Sequence, residues 1–298
     1  SVDNRAYGDD AFSLYGTSDS IVENSISENQ ANGFQIHGIE NDLDPSGSGG
    51  RNNRILGSLS FGDSLPMLIG SRAGGGAYHN AKGNQVRDFV VANTSGSCIY
   101  VRGAAGTLVE NATLYHSTGS GGLFADAGDP ELGGSCGPTN PDGCSLTARN
   151  VLSLGHSQGY GFMISGFDNW LIEWSNATRN SIDYGSSEPP DDATGRIQHS
   201  TRVAAPEIGL DSGQCLLWIP EGSALKNAGK DGRDIGATIV NRYNDGVITN
   251  RPLWDPVTGA FPCGAVVAGI NDGPIRCTNI HTRLNVNTNG CRLPAAPR

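Results

Sequence analysis

The chain has 298 residues and a formal net charge of −10, which argues against a nucleic-acid partner because phosphate backbones are bound by clustered Lys and Arg. Glycine contributes 43 residues and charged residues only 17%, a composition typical of folds with many tight turns and few charged helical faces. No segment reaches the ~18 consecutive apolar residues that a membrane helix needs. We therefore expect a turn-rich fold with neither a nucleic-acid partner nor a membrane span.

In chain order, the predicted elements repeat. Six segments share an apolar alternation followed by a polar turn and a second short strand: 21–37, 54–70, 86–102, 109–126, 147–165 and 172–184. Aligning one apolar position of each gives the column Ile26, Leu59, Val90, Leu114, Leu152 and Ala177. Subtracting successive residue numbers gives spacings of 33, 31, 24, 38 and 25. A regular unit with variable loops indicates a solenoid, whose repeats bury their apolar faces against their neighbours.

A column of turn-forming residues accompanies this period. Three residues beyond each aligned position lie Asn29, Gly62, Asn93, Ser117, Gly155 and Asn180. Asn and Gly tolerate left-handed backbone angles, and stacked Asn amides can hydrogen-bond between repeats. Asn and Gly are also simply frequent in loops, but here they follow the period. We predict that this column marks one corner of every repeat.

Three stretches carry a family resemblance: DDAFSLYG at 9–16, IVENSI at 21–26 and NGFQIHG at 32–38. They resemble the coils of long β-helix pectate lyases and of related secreted β-helix proteins, over residues 5–187. The resemblance implies an all-β fold, a right-handed parallel β-helix solenoid. Residues 223–237 resemble a closing motif at the C-terminal end of such helices. We therefore expect a β-helix domain over 1–237, regular to about 187, and an irregular cystine-containing cap over 238–298.

The resemblance also implies where a catalytic base would lie. In calcium-dependent pectate lyases an uncharged Lys or Arg removes a proton next to a carboxylate. Where the family places a lysine, this chain has Gln35, which cannot accept that proton. His37, predicted to be exposed on the same outward face, and Lys82, in a glycine-rich loop, are the remaining candidate bases. We expect either lost lyase activity or a catalytic base in coils outside this sequence.

Calcium is the one predicted cofactor. Asp9 and Asp10 occupy a place where similar lyases carry calcium ligands, and Asp42 and Asp44 belong to an oxygen-rich loop. Calcium takes about six to eight oxygen ligands, so both groups are compatible with a site. A solvated acidic loop is the alternative interpretation.

The outward positions of the second strand in each repeat form a further column. If Phe34, Met67, Ile99, Leu123, Phe162 and Ile182 face the core, their successors Gln35, Leu68, Tyr100, Phe124, Met163 and Asp183 face outward. A largely apolar outer column marks a surface that something covers. The C-terminal tail or an inserted loop, sugar rings on Tyr100 and Phe124, or another chain can each do so. Gln35, Tyr100, Arg102 and Phe124 are the candidate substrate-binding residues.

The seven cysteines indicate an oxidising compartment, and hence export to the extracellular space or cell surface. Cys136 and Cys144 bracket an irregular loop and are predicted to pair. The pairing of the four later cysteines stays open. They are Cys215, Cys263, Cys277 and Cys291. Cys98 is left over and is expected to be a small core residue.

The sequence thus favours a secreted β-helix protein that binds, or formerly cleaved, an acidic polysaccharide or cell-surface glycan. The alternative is a non-catalytic structural protein of the cell surface or extracellular matrix that self-assembles, through its apolar column or through the ends of its coils.

Overall fold

The computed structural model describes residues 10–38, 50–70, 81–127, 143–186, 196–206, 208, 217–220 and 222–252. In this part of the chain there are 19 β-strands, no α-helix and one short 3-10 helix at Lys230–Gly232. The predicted all-β class is confirmed. No helix of these residues is long and apolar enough to cross a membrane.

Seven parallel strands form the first sheet. They are β1 (Asp10–Tyr15), β4 (Asn32–His37), β6 (Leu65–Gly70), β8 (Ser97–Arg102), β10 (Gly121–Asp126), β13 (Tyr160–Ser165) and β16 (Ile182–Ser186). They lie side by side in the order in which they occur in the sequence. Each therefore pairs with its counterpart from the preceding and following repeat.

Ten parallel strands form the second sheet. They are β2 (Ile21–Glu23), β3 (Ile26–Glu28), β5 (Arg54–Phe61), β7 (Gln85–Thr94), β9 (Thr107–Ser117), β11 (Ser145–Arg149), β12 (Leu152–Leu154), β14 (Asn169–Glu173), β15 (Asn176–Thr178) and β17 (Ile197–Gln198). Every repeat thus contributes one segment to the first sheet and then crosses to the second.

A line of left-handed residues divides the second sheet into two halves. These residues have positive φ and occupy equivalent positions in successive repeats: Asn24, Gly57, Asp88, Asn111, Asn150, Trp174 and His199. One left-handed residue redirects an extended backbone, and Asn, Asp and Gly adopt that conformation most readily. We call this line the turn column. The residues before it form the leading half of the second sheet, and those after it form the trailing half.

The main core lies between the first sheet and both halves of the second. Alternate residues of each strand point inward, as the twofold period of a strand requires. The aromatic members Phe34 and Phe89 meet edge to face with ring centroids 5.4 Å apart. Phe162 and Tyr184 stack at 5.3 Å. The single free cysteine among the described residues, Cys98, is fully buried in this core, as predicted.

A second apolar cluster lies on the other side of the trailing half. Ile26, Leu59, Val90 and Leu152 point outward there, away from the main core. They are covered by later residues of the chain: Ala205, Ile208, Leu217, Trp218, Ile219, Leu225, Ile235, Ala237 and Ile239. We call residues 217–240 the closing segment. The part predicted to end the last coil, 223–237, thus packs along the side of the second sheet.

Two strands follow the closing segment. β18 (Asn241–Asn244) and β19 (Val247–Pro252) form an antiparallel hairpin within the segment predicted to be an irregular cap. The hairpin lies beside β2 and β5 of the second sheet, where Asn24 Nδ2 donates to the Tyr243 carbonyl at 2.8 Å. The residues after Pro252 lie outside the described part of the chain.

The strand register corrects the predicted alignment by one residue in two repeats. Ile26, Leu59, Val90 and Leu152 do align, but Thr113 and Asn176 share their column, in place of the predicted Leu114 and Ala177. The trailing half is apolar on both sides, because the closing segment covers its outer side. An apolar residue therefore did not reveal which side of the strand it faces.

The predicted corner column carries the same shift. The residues at this corner are Asn29, Gly62, Asn93, His116, Gly155 and Arg179, and all six have positive φ. Ser117 and Asn180, predicted in place of His116 and Arg179, instead lie one residue further on. Both hydrogen-bond the buried His156, whose Nδ1 accepts from the Ser117 amide at 2.9 Å and whose amide donates to Asn180 Oδ1 at 3.0 Å. Burial lowers the pKa of His156 to about 3, so the ring is neutral.

Candidate functional site

The candidate site is the outer face of the first sheet. Residues in register across this face are Ser13, Gln35, Leu68, Tyr100, Phe124, Met163 and Gly185. The residues preceding five of them face the core and are at most 1% exposed: Phe34, Met67, Ile99, Leu123 and Phe162. The predicted inside and outside positions are therefore right for these five strands. We call the outward line from Leu68 to Met163 the apolar column.

The prediction fails at the last strand. Tyr184 is in register with Phe162 and buried, whereas Ile182, predicted to face inward, is 46% exposed. The outer position belongs to Gly185 and not to Asp183. The physical reason is that Tyr184 fills the core by stacking on Phe162, a role that the apolar pattern assigned to Ile182.

Tyr100 and Phe124 form an aromatic pair in the middle of the apolar column. Their ring centroids lie 5.4 Å apart with planes inclined by 50°. Both side chains are partly exposed, as are Leu68 and Met163 on either side of them. With strands spaced ~4.8 Å apart, the line from Leu68 to Met163 spans roughly 14 Å across the sheet. The surface suits an extended ligand that runs perpendicular to the strands.

Polar groups flank the aromatic pair two residues further along each strand. Arg102 and Asp126 are in register with each other, and the Tyr100 hydroxyl donates to Asp126 Oδ2 at 2.6 Å. Partial burial and the Asp126 carboxylate raise the pKa of Tyr100. The phenol therefore stays protonated and its ring is held in place. Of the predicted substrate-binding residues, Tyr100, Arg102 and Phe124 are brought together.

Gln35 and His37 occupy the same outward face but are buried, which corrects the prediction of an exposed histidine. Gln35 is 6% and His37 4% exposed. The imidazole Nε2 hydrogen-bonds Gln35 Oε1, and the Tyr15 ring lies 4.6 Å from the histidine ring. An amide oxygen only accepts, so Nε2 carries the hydrogen in this pair. In this arrangement His37 does not present a free Nε2 lone pair to a substrate on the face.

Lys82 belongs to a different part of the molecule. Its backbone bridges Arg51 and Ala105 at the corner that leads into the second sheet, and its amide donates to the Gly50 carbonyl at 3.2 Å. His37, in contrast, is in register with Gly70 of the first sheet. The two candidate bases therefore lie in different parts of the repeat, His37 in the first sheet and Lys82 at the corner before the second sheet.

The predicted calcium ligands fall largely outside the described residues. Asp9, Asp42 and Asp44 lie there, and Asp10 is the first residue of β1, in register with Asn32. Among the residues that the structure does describe, no three His, Cys, Asp or Glu side chains gather closely enough to hold a metal ion. Calcium binding stays a prediction.

Of the two cysteines predicted to pair, Cys136 and Cys144, the structure describes only Cys144. Cys144 is buried just before β11, where its amide donates to Asp168 Oδ2 at 2.8 Å. Cys136 lies outside the described residues, so the pairing stays a prediction.

Two residues of this face were missed. Asp126 follows Phe124 by two residues, and the twofold period of a strand was a sufficient signal for it. Tyr160 begins β13, and a methyl group at Gly185 would lie 2.7 Å from its ring and 3.2 Å from the Met163 sulfur. The Tyr160 ring thus covers Gly185 and extends the aromatic surface beside Met163. This contact depends on the register of β16, in which Tyr184 and not Ile182 is paired with Phe162.

A groove lies on the leading half of the second sheet. It has a volume of about 590 Å³ and includes Leu108, Trp170, Arg149 and Arg196. Both guanidinium groups are engaged: Arg149 bonds Glu173 Oε1 at 2.7 Å, and Arg196 lies 5.4 Å from the centre of the Trp170 ring. We take the first-sheet face as the candidate site because four large, partly exposed apolar side chains stand in register there, beside Arg102 and Asp126.

Comparisons of the chain with protein-family models, with curated proteins and with solved structures each find no match. The proposed function therefore rests on the geometry described above and on the sequence resemblance of residues 9–38.

Proposed function

We propose that this chain is a right-handed parallel β-helix that binds an extended acidic polysaccharide on the outer face of its first sheet. All strand pairs from β1 to β17 are parallel, and each repeat visits the two sheets in the same order, which supports a solenoid. The proposed hand follows the general rule that crossovers between parallel strands are right-handed. The resemblance of residues 9–38 to secreted pectate-lyase-like proteins supports export and a glycan ligand.

One observation carries the binding proposal: four large side chains stand in register on an outer face beside polar groups. Leu68, Tyr100, Phe124 and Met163 offer apolar surface to the faces of sugar rings. Arg102, in register with Asp126, offers a planar donor set that suits a carboxylate. Sites for small ligands generally combine apolar walls with a few fixed polar groups. In the described part of the chain, the closing segment and the hairpin lie on the second sheet instead.

The proposed activity is binding without cleavage. Gln35 stands where the resemblance implies a lysine, and His37 is hydrogen-bonded to it. Neither arrangement supports abstraction of a proton from a uronate ring. We expect no calcium-dependent release of unsaturated uronate from pectate, measured by absorbance of the product. A calcium-dependent increase that His37→Ala or Lys82→Ala abolishes would contradict this.

The binding proposal is tested by titrating the protein with oligogalacturonate, with and without calcium, in a calorimeter. Removing an aromatic platform costs about 1.5–3 kcal/mol, so Tyr100→Ala with Phe124→Ala should weaken binding by roughly ten- to a hundredfold. Trp174→Ala is the matched control, because Trp174 is a partly exposed aromatic that stacks on His199 in the turn column. It should leave the affinity unchanged.

Two results would redirect the proposal. Loss of affinity in Trp170→Ala, with the Tyr100 and Phe124 variant unaffected, would move the ligand to the groove on the second sheet. If the wild-type protein binds no glycan but forms oligomers that the double variant dissolves, the apolar column is a contact between copies of the chain. Light scattering during the same titration separates these outcomes.

A further inference from the structure

The hairpin β18–β19 is held in a slot formed by three consecutive members of the turn column. Asn24 clamps the backbone of Tyr243: its Nδ2 donates to the Tyr243 carbonyl and its Oδ1 accepts from the Tyr243 amide, each at 2.8 Å. Gly57 leaves room for the Tyr243 ring, since a methyl group at this position would lie 2.8 Å from it. Asp88 Oδ2 accepts a short hydrogen bond from the Tyr243 hydroxyl.

The hairpin is held in its docked position by this slot. A two-stranded hairpin is marginally stable by itself in water. This one exposes Val247 by 65% and Ile248 by 52%, so its own strands bury little apolar surface. Beyond Tyr243, the described attachment includes the Gly246 amide, which donates to Glu23 Oε2 at 3.1 Å. The hairpin is therefore an element that can detach while the sheets beneath it stay folded.

The acceptor in the slot is a buried carboxyl group. Asp88 is 7% exposed, because Tyr243 and its own sheet cover it. Its neighbour Arg87 directs Nε to Glu110 Oε2, 3.3 Å away, rather than to Asp88. The Asp88 carboxyl thus sits at a docking interface with a phenol as its bonded partner.

We propose that the hairpin is a pH-sensitive latch, in which Tyr243 is held more tightly in the slot of Asn24, Gly57 and Asp88 under mildly acidic conditions than at neutral pH. The latch controls whether the end of the closing segment is anchored to the turn column. The inference does not depend on the proposed glycan binding, because the slot lies on the second sheet.

The direction follows from the environment of Asp88. Burial raises its pKa from 3.8 to about 6, against the lowering effects of the Tyr243 and Asn111 hydrogen bonds and of Arg233. Between these two values the docked state retains a proton that a solvent-exposed aspartate releases. Docking is therefore strongest below about pH 4, weakens as the pH rises to about 6, and stays at the weaker level above that. The pKa difference corresponds to at most about a hundredfold in the docking equilibrium.

Other charged groups face the latch from each neighbouring element. Glu23 of β2 accepts from the hairpin turn, and Arg54 of β5 lies against Gly246. Glu110 of β9 adds a raising effect on the pKa of Asp88, and Arg233 of the closing segment a lowering one. Tyr243 itself stays protonated, since burial and Asp88 raise its pKa. Asp88 is thus the group to vary first.

The test is hydrogen exchange of the whole chain, with opening constants of the Tyr243 and Gly246 amides corrected for intrinsic rates. Across about pH 4.5 to 7 the wild-type hairpin should open more readily as the pH rises, by up to roughly 25-fold, while the core strand β9 stays protected. Asp88→Asn should hold the hairpin at the low-pH level throughout. Asn occupies the same column at Asn24, Asn111 and Asn150, so the backbone accepts it.

Two further variants complete the experiment. Asp245→Asn removes an exposed carboxylate in the same hairpin and should keep the wild-type pH profile. Tyr243→Phe removes only the hydroxyl and should open the hairpin further at every pH. A flat wild-type profile, or an unchanged profile in Asp88→Asn, would overturn the pH-sensitive latch. If the hairpin amides were equally protected in Tyr243→Phe, the hydrogen bond from Tyr243 to Asp88 would not be what holds the hairpin in the slot.

Discussion

The trailing half of the second sheet and the first sheet both carry a line of large apolar side chains on their outer sides, with different fates. On the trailing half, Leu59, Val90 and Leu152 are at most 1% exposed, because the closing segment lies over them. On the first sheet, Tyr100 and Phe124 stay partly exposed. The covered line is matched by a segment rich in buried apolar residues, including Trp218.

This difference shows that an outward apolar line has no single meaning. The closing segment also hydrogen-bonds polar groups of the trailing half and of the turn column. The Ala237 amide donates to Thr113 Oγ1 at 2.9 Å, and the Lys230 amide donates to Asn150 Oδ1 at 2.7 Å. On the first sheet, Tyr100 instead bonds Asp126 of a neighbouring strand. The apolar line on the trailing half is a structural interface. The apolar column on the first sheet is the surface for which we propose a ligand.

The largest expected effect comes from one leucine in each line. Leu59→Ala leaves a cavity under the closing segment and should lower the free energy of unfolding by about 2–5 kcal/mol. Leu68→Ala removes a partly exposed side chain and should cost about 1 kcal/mol or less. Urea denaturation of the two variants without ligand measures both. Equal losses would mean that the first-sheet line is also covered.

A smaller effect is expected at the ion pairs that tie the closing segment to the leading half. Glu173 bonds Arg149 at 2.7 Å and Lys230 at 3.2 Å. Burial alone would raise the pKa of Glu173, but these two cations outweigh it and lower the pKa. Glu173→Gln should therefore cost about 1–3 kcal/mol at neutral pH.

The pH dependence at Glu173 has the opposite sign to that at Asp88. Because its folded pKa is lowered, its contribution is present above the ordinary value of 4.5 and is lost as the pH falls through the folded value. The difference between wild type and Glu173→Gln in urea should thus vanish in strong acid. Asp231→Asn, an exposed carboxylate beside Lys230, serves as control and should change stability little at any pH. A difference that persists in acid would contradict the ion-pair account.

The sequence predicted the first sheet better than the second. Alternation located Phe34 and Ile99 inside and Tyr100 outside, since only one side of these strands faces the closed core. The trailing half is apolar on both sides, so the same rule shifted Leu114 and Ala177 by one residue. Resolving that ambiguity required knowing where the closing segment lies, which is a contact across more than a hundred residues.

The candidate site was predicted only in part, because strand period locates outward residues but does not show contacts between strands. Tyr100, Phe124 and Arg102 follow from strand period alone. The burial of His37 did not, because it depends on Gln35 and on the Tyr15 ring from another strand. The slot for Tyr243 was also out of reach, since it joins residues that are 155 and 219 positions apart.

The most direct test of an open first-sheet face uses the only two methionines of the chain. Met67 faces the core and is 0% exposed, whereas Met163 faces outward beside Phe124 and is partly exposed. Mild peroxide oxidation, followed by mass spectrometry, should modify Met163 and spare Met67, and oligogalacturonate should protect Met163. Protection of Met163 without any ligand, or oxidation that the glycan leaves unchanged, would contradict the account.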